Sequence, residues 1–305
     1  MSFQNCVVLV TGGSSGIGLA TARLFGELGA HVWLMARDRA RLDHALAQIR
    51  ERCSCPAQQC GAVQADVADP AEVTRAVDAV TEAAGLPDIV VNSAGTVHPG
   101  YFSEQDLDIF QEMMKVNYFG TLHVVKALTP GMIRRGSGHI VNICSAAAFL
   151  PVFGYAAYGA SKYAVRGLSD VLRVELKPHG IHVSVVYPPD TNTPQLAYED
   201  ALKPPETRAF NGGVVLPPEK VARSIIRGIQ HKRHTITPGL ETTAMYRLVG
   251  LLRDWQYPIL DLLVQRAQRL EHVVVEVLAE HEGQHHAAQP LGRAAGDGRA
   301  RRHHA

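Results

Sequence analysis

The stretch from Cys6 to Ala20, CVVLVTGGSSGIGLA, constrains the fold more than any other part of the chain. Its apolar run has the length and β-branched content of a buried strand that ends at Thr11, and a glycine-rich turn then opens a helix at Ile17. Glycine lets the backbone take positive φ and approach a pyrophosphate, whose charge the N-terminus of the helix stabilises. Ordinary strand-to-helix turns also contain glycines at Gly-x-x-x-Gly-x-Gly spacing. The stretch by itself is therefore a candidate dinucleotide site that needs support from other motifs.

Composition limits the class of protein. The chain has 305 residues, of which 46% are hydrophobic and 19% charged, as expected for a globular protein with a large core. A formal net charge of +1 argues against a general nucleic-acid binder. The five cysteines form no disulfide framework, and Cys53, Cys55 and Cys60 lack zinc-ligand spacing, so we predict no metal site. With no signal peptide before the first strand, we expect a cytoplasmic protein.

Strand-like and helix-like segments alternate along the chain. This alternation predicts an α/β fold with a Rossmann-like, doubly wound parallel sheet in three α/β/α layers. Beyond the first strand, the predicted strands are Ala30–Ala36, Gln59–Ala65, Asp88–Val91, His139–Cys144 and Ile181–Tyr187. We predict two helices, Glu104–Lys115 and Tyr118–Arg135, separated at Val116-Asn117. The predicted domain covers residues 1–240, followed by a helical apolar extension (241–280) and a disordered tail (281–305).

Residues at the ends of the second and third strands indicate which cofactor is bound. NAD sites place an acidic residue at the end of the second strand, but Ala36 and then Arg37 stand there. A guanidinium pairs well with a 2′-phosphate, so we predict NADP(H), with a solvated surface charge as the alternative role of Arg37. Asp66 and Val67 follow the third strand, and Asp66 is either an adenine contact, the N-cap of the helix from Pro70, or both.

Later polar residues complete the candidate site. Asn92, Ala94 and Gly95 follow the fourth strand, where small residues let the backbone pass close to a nucleotide. Tyr158 and Lys162 are four residues apart on a predicted helix and therefore share one face. Each of these residues alone also has an ordinary structural role.

Taken together, these motifs resemble the short-chain dehydrogenase/reductase family over residues 3–239. The resemblance is carried by Thr11-Gly12-Gly13-Ser14-Ser15-Gly16-Ile17-Gly18, Asn92-Ser93-Ala94-Gly95, Asn117, Ser145 and Tyr158-x-x-x-Lys162. It implies that Tyr158 is the general acid, that Lys162 lowers the pKa of Tyr158 and binds the nicotinamide ribose, and that Ser145 holds the carbonyl oxygen. Asn117 is implied to hold a water in a proton relay. Tyr155 is a rival proton donor, but no lysine follows it at the matching interval.

The resemblance also implies which residues contact the cofactor. They are Gly12, Ser14, Ser15, Gly16, Ile17, Gly18, Arg37, Asp66, Val67, Asn92, Ala94, Gly95, Tyr158, Lys162, Pro188, Thr191 and Thr193. Two positions depart from the family pattern. Pro189 replaces a glycine after the sixth strand and stiffens that loop, and Ser93 replaces a second asparagine.

Two segments narrow the substrate class. Tyr187-Pro188-Pro189-Asp190-Thr191-Asn192-Thr193-Pro194 and Lys203-Pro204-Pro205-Glu206-Thr207-Arg208 resemble the 3-ketodihydrosphingosine reductases within the family. That resemblance implies NADPH-dependent reduction of a long-chain keto lipid, with steroid, retinoid or 3-oxoacyl substrates as alternatives. A non-catalytic NADP sensor is an alternative of another class. The family resemblance further implies a homodimer or homotetramer formed through two long helices.

The apolar extension has the composition of a membrane-surface segment. Residues 245–264 are rich in leucine and carry amphipathic aromatics, but charges and Pro258 interrupt them, so we do not expect a membrane span. A helix pair lying on a membrane through 245–274 is one interpretation, and packing on the domain or on a second subunit is the other. The apolar stripe comprises Leu260, Leu263, Val264, Ala267, Leu270 and Val274.

Overall fold

Seven parallel strands form one sheet at the centre of the protein. The computed structural model describes residues 2–210, 213–266 and 268–269, without the side chains of residues 209 and 210. The strand order is β3-β2-β1-β4-β5-β6-β7. The strands are β1 (Val7–Thr11), β2 (His31–Ala36), β3 (Cys60–Gln64), β4 (Ile89–Asn92), β5 (Gly138–Ile143), β6 (Ile181–Val186) and β7 (Thr235–Ile236). The predicted Rossmann-like fold is confirmed, and β7 is an additional strand that pairs with β6.

Helices cover both faces of the sheet. The described helices are α1 (Gly16–Glu27), α2 (Arg39–Arg50), α3 (Pro70–Ala84), α4 (Leu107–Met113), α5 (Gly120–Arg135), α6 (Ala156–Leu176), α7 (Pro194–Leu202), α8 (Pro205–Phe210), α9 (Pro218–Gln230) and α10 (Leu240–Leu252). Successive residues of β1 enter different cores: Val8 and Val10 pack with α1, α2 and α9, whereas Leu9 packs with α3 and α5. The three α/β/α layers follow from this alternation.

The predicted break at Val116-Asn117 is wrong. α4 continues through a π-helical segment, Met114–Phe119, directly into α5. Asn117 is buried there, and its amide bonds the Thr96 backbone, so a polar residue within an apolar pattern marks a side chain with a partner rather than a helix end. The wide turn belongs to the class of π-bulges that are common at functional sites.

The sheet order creates a crevice at the carboxyl ends of its strands. β1 lies between β2 and β4, so the chain leaves β1 toward one edge of the sheet and later returns to pair β4 on its other side. In open α/β sheets, ligands bind at the point where the strand order reverses. The glycine-rich turn lies between β1 and α1, at this point.

The C-terminal extension is helical as far as the structure describes it. α10 ends at Leu252, a short 3-10 turn spans Arg253–Trp255 with Arg253 at φ 48°, and residues 256–266 are helical. The interruption lies at Arg253 and not at Pro258, which is within the second helical segment. Tyr246 of α10 packs against Phe149 and Tyr187, with ring centroids 5.1 and 5.4 Å away. One side of α10 therefore packs on the main domain.

Among the described residues, every helix is too short or too polar to span a bilayer. Ala267, Leu270 and Val274 of the predicted stripe, and the predicted tail at 281–305, lie outside the residues whose side chains are described.

The cysteine-rich connection between α2 and β3 contains free thiols. The Cys53 and Cys60 sulfurs are 3.3 Å apart, and burial together with the Cys53 contact raises the pKa of Cys60 to about 11. Over the described residues, no three His, Cys, Asp or Glu side chains are grouped to hold a metal ion.

Candidate active site

A cavity of about 780 Å³ lies at the carboxyl edge of the sheet. It extends from the glycine-rich turn to the loop after β6. The predicted site residues that line it are Gly12, Ser14, Ser15, Gly16, Ile17, Arg37, Asp66, Val67, Ala94, Gly95, Ser145, Tyr158, Lys162, Pro188, Thr191 and Thr193. Residues far apart in the sequence therefore share one cavity, as the motif order predicts.

Backbone geometry forms the floor of the cavity at the glycine turn. Gly12 and Gly16 have φ angles of 64° and 55°, a region that side-chain-bearing residues rarely adopt. A Cβ atom at Gly12 would lie 2.7 Å from the Ala94 backbone nitrogen. Because Gly12 has no side chain, the loops that follow β1 and β4 can lie close together. They meet at the N-terminus of α1, where anions are stabilised.

Gly18 and Asn92 lie behind the cavity lining. A Cβ at Gly18 would lie 2.4 Å from the Gly12 carbonyl oxygen, so Gly18 allows α1 to pack under the turn. Asn92 is buried and donates from Nδ2 to Asn142 Oδ1 at 2.8 Å. Both residues therefore support the residues that face the cavity, and their predicted contacts with the cofactor stay predictions.

Arginines gather where β2 and β3 end. The side chain of Arg37 is 65% exposed and its Nη1 lies 4.0 Å from Asp66 Oδ2. Arg41 also lines the cavity and pairs with Asp38 at 3.4 Å. This end of the cavity therefore presents two guanidinium groups. The sequence predicted only one of them, that of Arg37, as a cofactor contact.

Asp66 does not cap α3, which corrects one predicted role. Asp69 is the N-cap, and its carboxylate accepts from the backbone amides of Ala71 and Glu72. Asp66 Oδ1 accepts instead from Ala68 N at 2.9 Å. The physical reason is position, because Asp69 immediately precedes the first helical residue and Asp66 lies three residues earlier.

Tyr158, Lys162 and Ser145 lie together at the centre of the cavity. α6 begins two residues before Tyr158, and its helical spacing puts the buried side chains of Tyr158 and Lys162 on one face. Lys162 Nζ lies 5.5 Å from the centroid of the Tyr158 ring and donates to the Ile143 carbonyl oxygen at 3.2 Å. The Ser145 hydroxyl is close enough to the Tyr158 phenol to lower its pKa.

The pKa of Tyr158 is raised in this environment, contrary to the expected lowering. Burial raises it first, the Glu199 carboxylate raises it further, and the Ser145 hydrogen bond lowers it. Burial lowers the pKa of Lys162. The expectation from Lys162 alone was wrong because desolvation of the phenolate outweighs the other effects here.

Asn117 holds the wall behind Lys162. Its Oδ1 accepts from Thr96 N at 2.8 Å, and its Nδ2 donates to Thr96 O and Ser161 Oγ. A Cβ at Gly95 would lie 3.1 Å from Asn117 Oδ1 and 3.5 Å from Lys162 Nζ. Asn117 thus lies close behind the lining, and its role in a water relay stays a prediction.

The loop after β6 closes one side of the cavity. Pro188 accepts from Ala146 N through its carbonyl oxygen at 3.1 Å. Thr191 donates to the Pro189 carbonyl oxygen at 2.8 Å, and Thr193 caps α7 by accepting from Leu196 N. A Cβ at Gly16 would lie 3.1 Å from Thr193 Cγ2, so this loop reaches the glycine turn.

Sequence reasoning missed Glu199. This α7 residue lines the cavity, and Tyr155 donates its phenolic proton to Glu199 Oε2 at 2.7 Å. Burial and the Glu199 charge raise the pKa of Tyr155. The hydroxyl of this rival proton donor is therefore held in a hydrogen bond to the carboxylate. No local motif could identify the contact, because the partners are 44 residues apart in the sequence.

Comparisons with known proteins agree with this geometry. The profile of the family described as short chain dehydrogenase matches residues 6–202. A relative from Danio rerio named 3-dehydrosphinganine reductase is 39% identical over 222 residues, which cover 72% of this chain and 67% of the relative.

Solved structures are similar as well. A short-chain dehydrogenase/reductase from Burkholderia phymatum in complex with NAD has a TM-score of 0.74 and 26% identity, covering 84% of this chain and 96% of that one. A short-chain dehydrogenase from Sphingobium yanoikuyae in complex with NADPH has a TM-score of 0.70 and 29% identity, covering 82% and 94%.

Proposed function

This chain belongs to the short-chain dehydrogenase family, and from that premise we propose that it reduces the 3-keto group of 3-ketodihydrosphingosine to dihydrosphingosine with NADPH. It is an oxidoreductase that uses a nicotinamide dinucleotide. The observation that carries the proposal is the placement of Ser145, Tyr158 and Lys162 in the cavity that the glycine turn opens. The substrate class is inferred from relatives that are named as 3-dehydrosphinganine or 3-ketodihydrosphingosine reductases.

We infer separate roles for the three central side chains. Tyr158 donates its proton to the carbonyl oxygen of the ketone, and Ser145 donates a hydrogen bond to the same oxygen as negative charge develops there. Lys162 stabilises the phenolate that remains after proton transfer and holds the ribose of the nucleotide. Tyr158 is protonated at neutral pH, as a proton donor requires. Its raised pKa makes proton transfer depend on groups that stabilise the phenolate.

The residues present fit a reduced nicotinamide dinucleotide, which supplies the hydride when bound. The bare backbone of the glycine turn and the N-terminus of α1 would hold the pyrophosphate. Arg37 and Arg41 would hold a 2′-phosphate, since β2 ends at Ala36 and not at an acidic residue. Asp38, which also lines the cavity, pairs with Arg41. We therefore propose NADPH rather than NADH as the cofactor.

The direct test of this function is NADPH consumption in detergent with 3-ketodihydrosphingosine as substrate. We expect turnover with this ketone and much slower turnover with steroid, retinoid or 3-oxoacyl ketones. Faster reduction of one of those ketones would assign the same chemistry to another substrate class. Binding of NADPH without turnover of any ketone would favour an NADP sensor.

We further propose that the extension at 245–274 contacts a membrane surface. Exposed apolar side chains in its described part are Met245, Leu248, Leu251, Trp255, Tyr257, Ile259, Leu262 and Leu263. Met245 and the neighbouring Leu240 also line the cavity. A lipid that leaves a bilayer at this surface would therefore enter the cavity without crossing water.

We also propose that the chain forms a homodimer or homotetramer. α5 and α6 are the two long helices, and α6 exposes Val171 and Val174 to solvent in the single chain. Exposed apolar side chains on a long helix are typical of a surface that packs against a second subunit.

A further inference from the structure

A carboxylate that forms no direct ion pair among the described side chains lies in the cavity, although the Lys203 ammonium is near enough to act on its pKa. Glu199 is buried and accepts hydrogen bonds from two neutral groups, the Tyr155 hydroxyl at 2.7 Å and Gln195 Nε2 at 3.4 Å. The nearby ammonium of Lys203 is paired elsewhere, with Asp200 at 2.6 Å and Asp190 at 3.5 Å. Among the described side chains, no ion pair is formed by Glu199.

Glu199 lies beside the proposed proton donor. The Tyr155 and Tyr158 rings contact each other edge to face, with centroids 5.9 Å apart, and the Tyr155 hydroxyl contacts Glu199. Burial raises the pKa of the Tyr158 phenol, and the charge of Glu199 raises it further. The carboxylate and the reacting carbonyl oxygen would therefore lie close together on one wall of the cavity.

The environment of Glu199 is costly for a free anion. A buried carboxylate is destabilised unless a cation or several donors compensate for its lost hydration, and burial raises the pKa of Glu199 accordingly. A carboxylate offers about four acceptor positions, of which the described partners use two. This group is suited to an N–H-bearing cation that enters with the substrate.

We propose that Glu199 is the specificity residue that binds the ammonium group of an amino ketone substrate. The inference rests on the proposed function and deepens it, since it concerns the same cavity. The amino group of 3-ketodihydrosphingosine is bonded to the carbon next to the ketone, so a ketone held at Tyr158 brings the ammonium to the same wall. Steroid, retinoid and 3-oxoacyl ketones carry no such cation and would leave the carboxylate unpaired.

Pairing at Glu199 also affects the chemistry at Tyr158. An ammonium next to Glu199 offsets the negative charge that raises the pKa of Tyr158. The amino ketone therefore makes the phenol a stronger acid while it is bound, and a ketone without the amino group does not. The amino group should improve turnover as well as binding.

The test compares two substrates with the variant Glu199→Gln, which removes the charge but keeps the size of the side chain. The substrates are 3-ketodihydrosphingosine and the analogue in which hydrogen replaces the amino group. We expect the wild-type preference for the amino ketone, measured as the ratio of kcat/KM values, to fall about tenfold or more in the variant. The Kd for NADPH should stay unchanged and shows that the variant is folded.

The matched control is Glu206→Gln. Glu206 is also a buried glutamate that accepts from a tyrosine, Tyr101, at 2.9 Å, but it is not part of the cavity lining. Its variant should keep the wild-type substrate ratio. The same ratio in Glu199→Gln and wild type, with turnover retained, overturns the inference and leaves the reductase function intact. Failure of the wild type to reduce 3-ketodihydrosphingosine overturns both.

Discussion

At the residue scale, the acidity of Tyr158 and of Tyr155 depends on the side chains that surround each phenol. Tyr158 is buried between a hydroxyl that lowers its pKa and a carboxylate that raises it. The competing Tyr155 donates to that carboxylate. The two tyrosines are therefore distinguished by their surroundings, since only Tyr158 has Lys162 on its own helical face.

Arg37 should select NADPH over NADH. Its guanidinium lines the cavity beside Asp66, and removing it in Arg37→Ala removes a partner for a 2′-phosphate. We expect the ratio of kcat/KM for NADPH to that for NADH to fall about tenfold. Steady-state kinetics with both cofactors measures this ratio.

Arg39→Ala is the control for that prediction. Arg39 is exposed, pairs with Asp43 at 2.9 Å, and is outside the cavity lining. Its variant should keep the wild-type cofactor preference. An equal preference in the wild type and Arg37→Ala would contradict the role of Arg37.

At the scale of elements, the glycine turn should tolerate no side chain at Gly12. Gly12→Ala puts a Cβ 2.7 Å from the Ala94 backbone nitrogen at a φ of 64°. We expect a loss of about 1–3 kcal/mol in the free energy of unfolding and weaker NADPH binding. Urea denaturation and fluorescence titration measure the two effects.

Gly250→Ala makes the same chemical change within α10, where an added Cβ meets no atom within 4 Å. This variant should be as stable as the wild type or more stable, because alanine favours a helix over glycine by about 1 kcal/mol. Unchanged stability and NADPH affinity in Gly12→Ala would show that the turn can move away.

The extension should hold the protein on membranes through its exposed apolar side chains. Leu251 and Trp255 are 80% and 78% exposed, and the double variant Leu251→Glu, Trp255→Glu puts charges there. We expect binding to phosphatidylcholine vesicles, measured by co-sedimentation, to fall about fivefold or more. Leu28→Glu, at an exposed leucine after α1, is the control and should bind like the wild type. Vesicle binding that is absent in the wild type would instead favour packing on a second subunit.

Sequence patterns predicted most strands of the sheet but not β7 or the continuous α4–α5 helix. The first six strands were predictable because their apolar runs alternate with amphipathic helices. β7 has two residues, too few for a pattern, and its pairing with β6 depends on a distant part of the chain. The break between α4 and α5 was predicted wrongly because the buried partners of Asn117 are invisible in a linear sequence.

The same limit applies to the site. The placement of Gly12, Gly16, Tyr158 and Lys162 at one cavity was predictable, because a glycine turn after a strand and a four-residue helical spacing are local patterns. Glu199 was not predictable, since its importance comes from a tertiary contact with Tyr155. Arg41 was missed because charge on an exposed helix face is usually only solvated.

At the scale of the whole molecule, two subunits should associate through the long helices. Val171 and Val174 are exposed on α6, so Val171→Glu, Val174→Glu should increase the monomer fraction by burying charge at the interface. Light scattering coupled to size-exclusion chromatography measures the mass. An oligomer that persists in this variant, or a wild-type monomer, would contradict this interface.

The whole molecule joins a cofactor turn, a proton donor and an apolar surface around one cavity. The glycine turn supplies one end, α6 supplies Tyr158 and Lys162, and α10 brings Met245 to the lining. A lipid ketone can therefore meet the nucleotide and the proton donor in the same space.

The most direct test is NADPH consumption with 3-ketodihydrosphingosine by the wild type and by Tyr158→Phe. The variant keeps the ring and removes the proton, so we expect kcat to fall about a hundredfold or more while the Kd for NADPH stays within about twofold. Tyr155→Phe should retain far more activity, because the Tyr155 hydroxyl is bonded to Glu199. Wild-type turnover by Tyr158→Phe would contradict the role of Tyr158 as the proton donor.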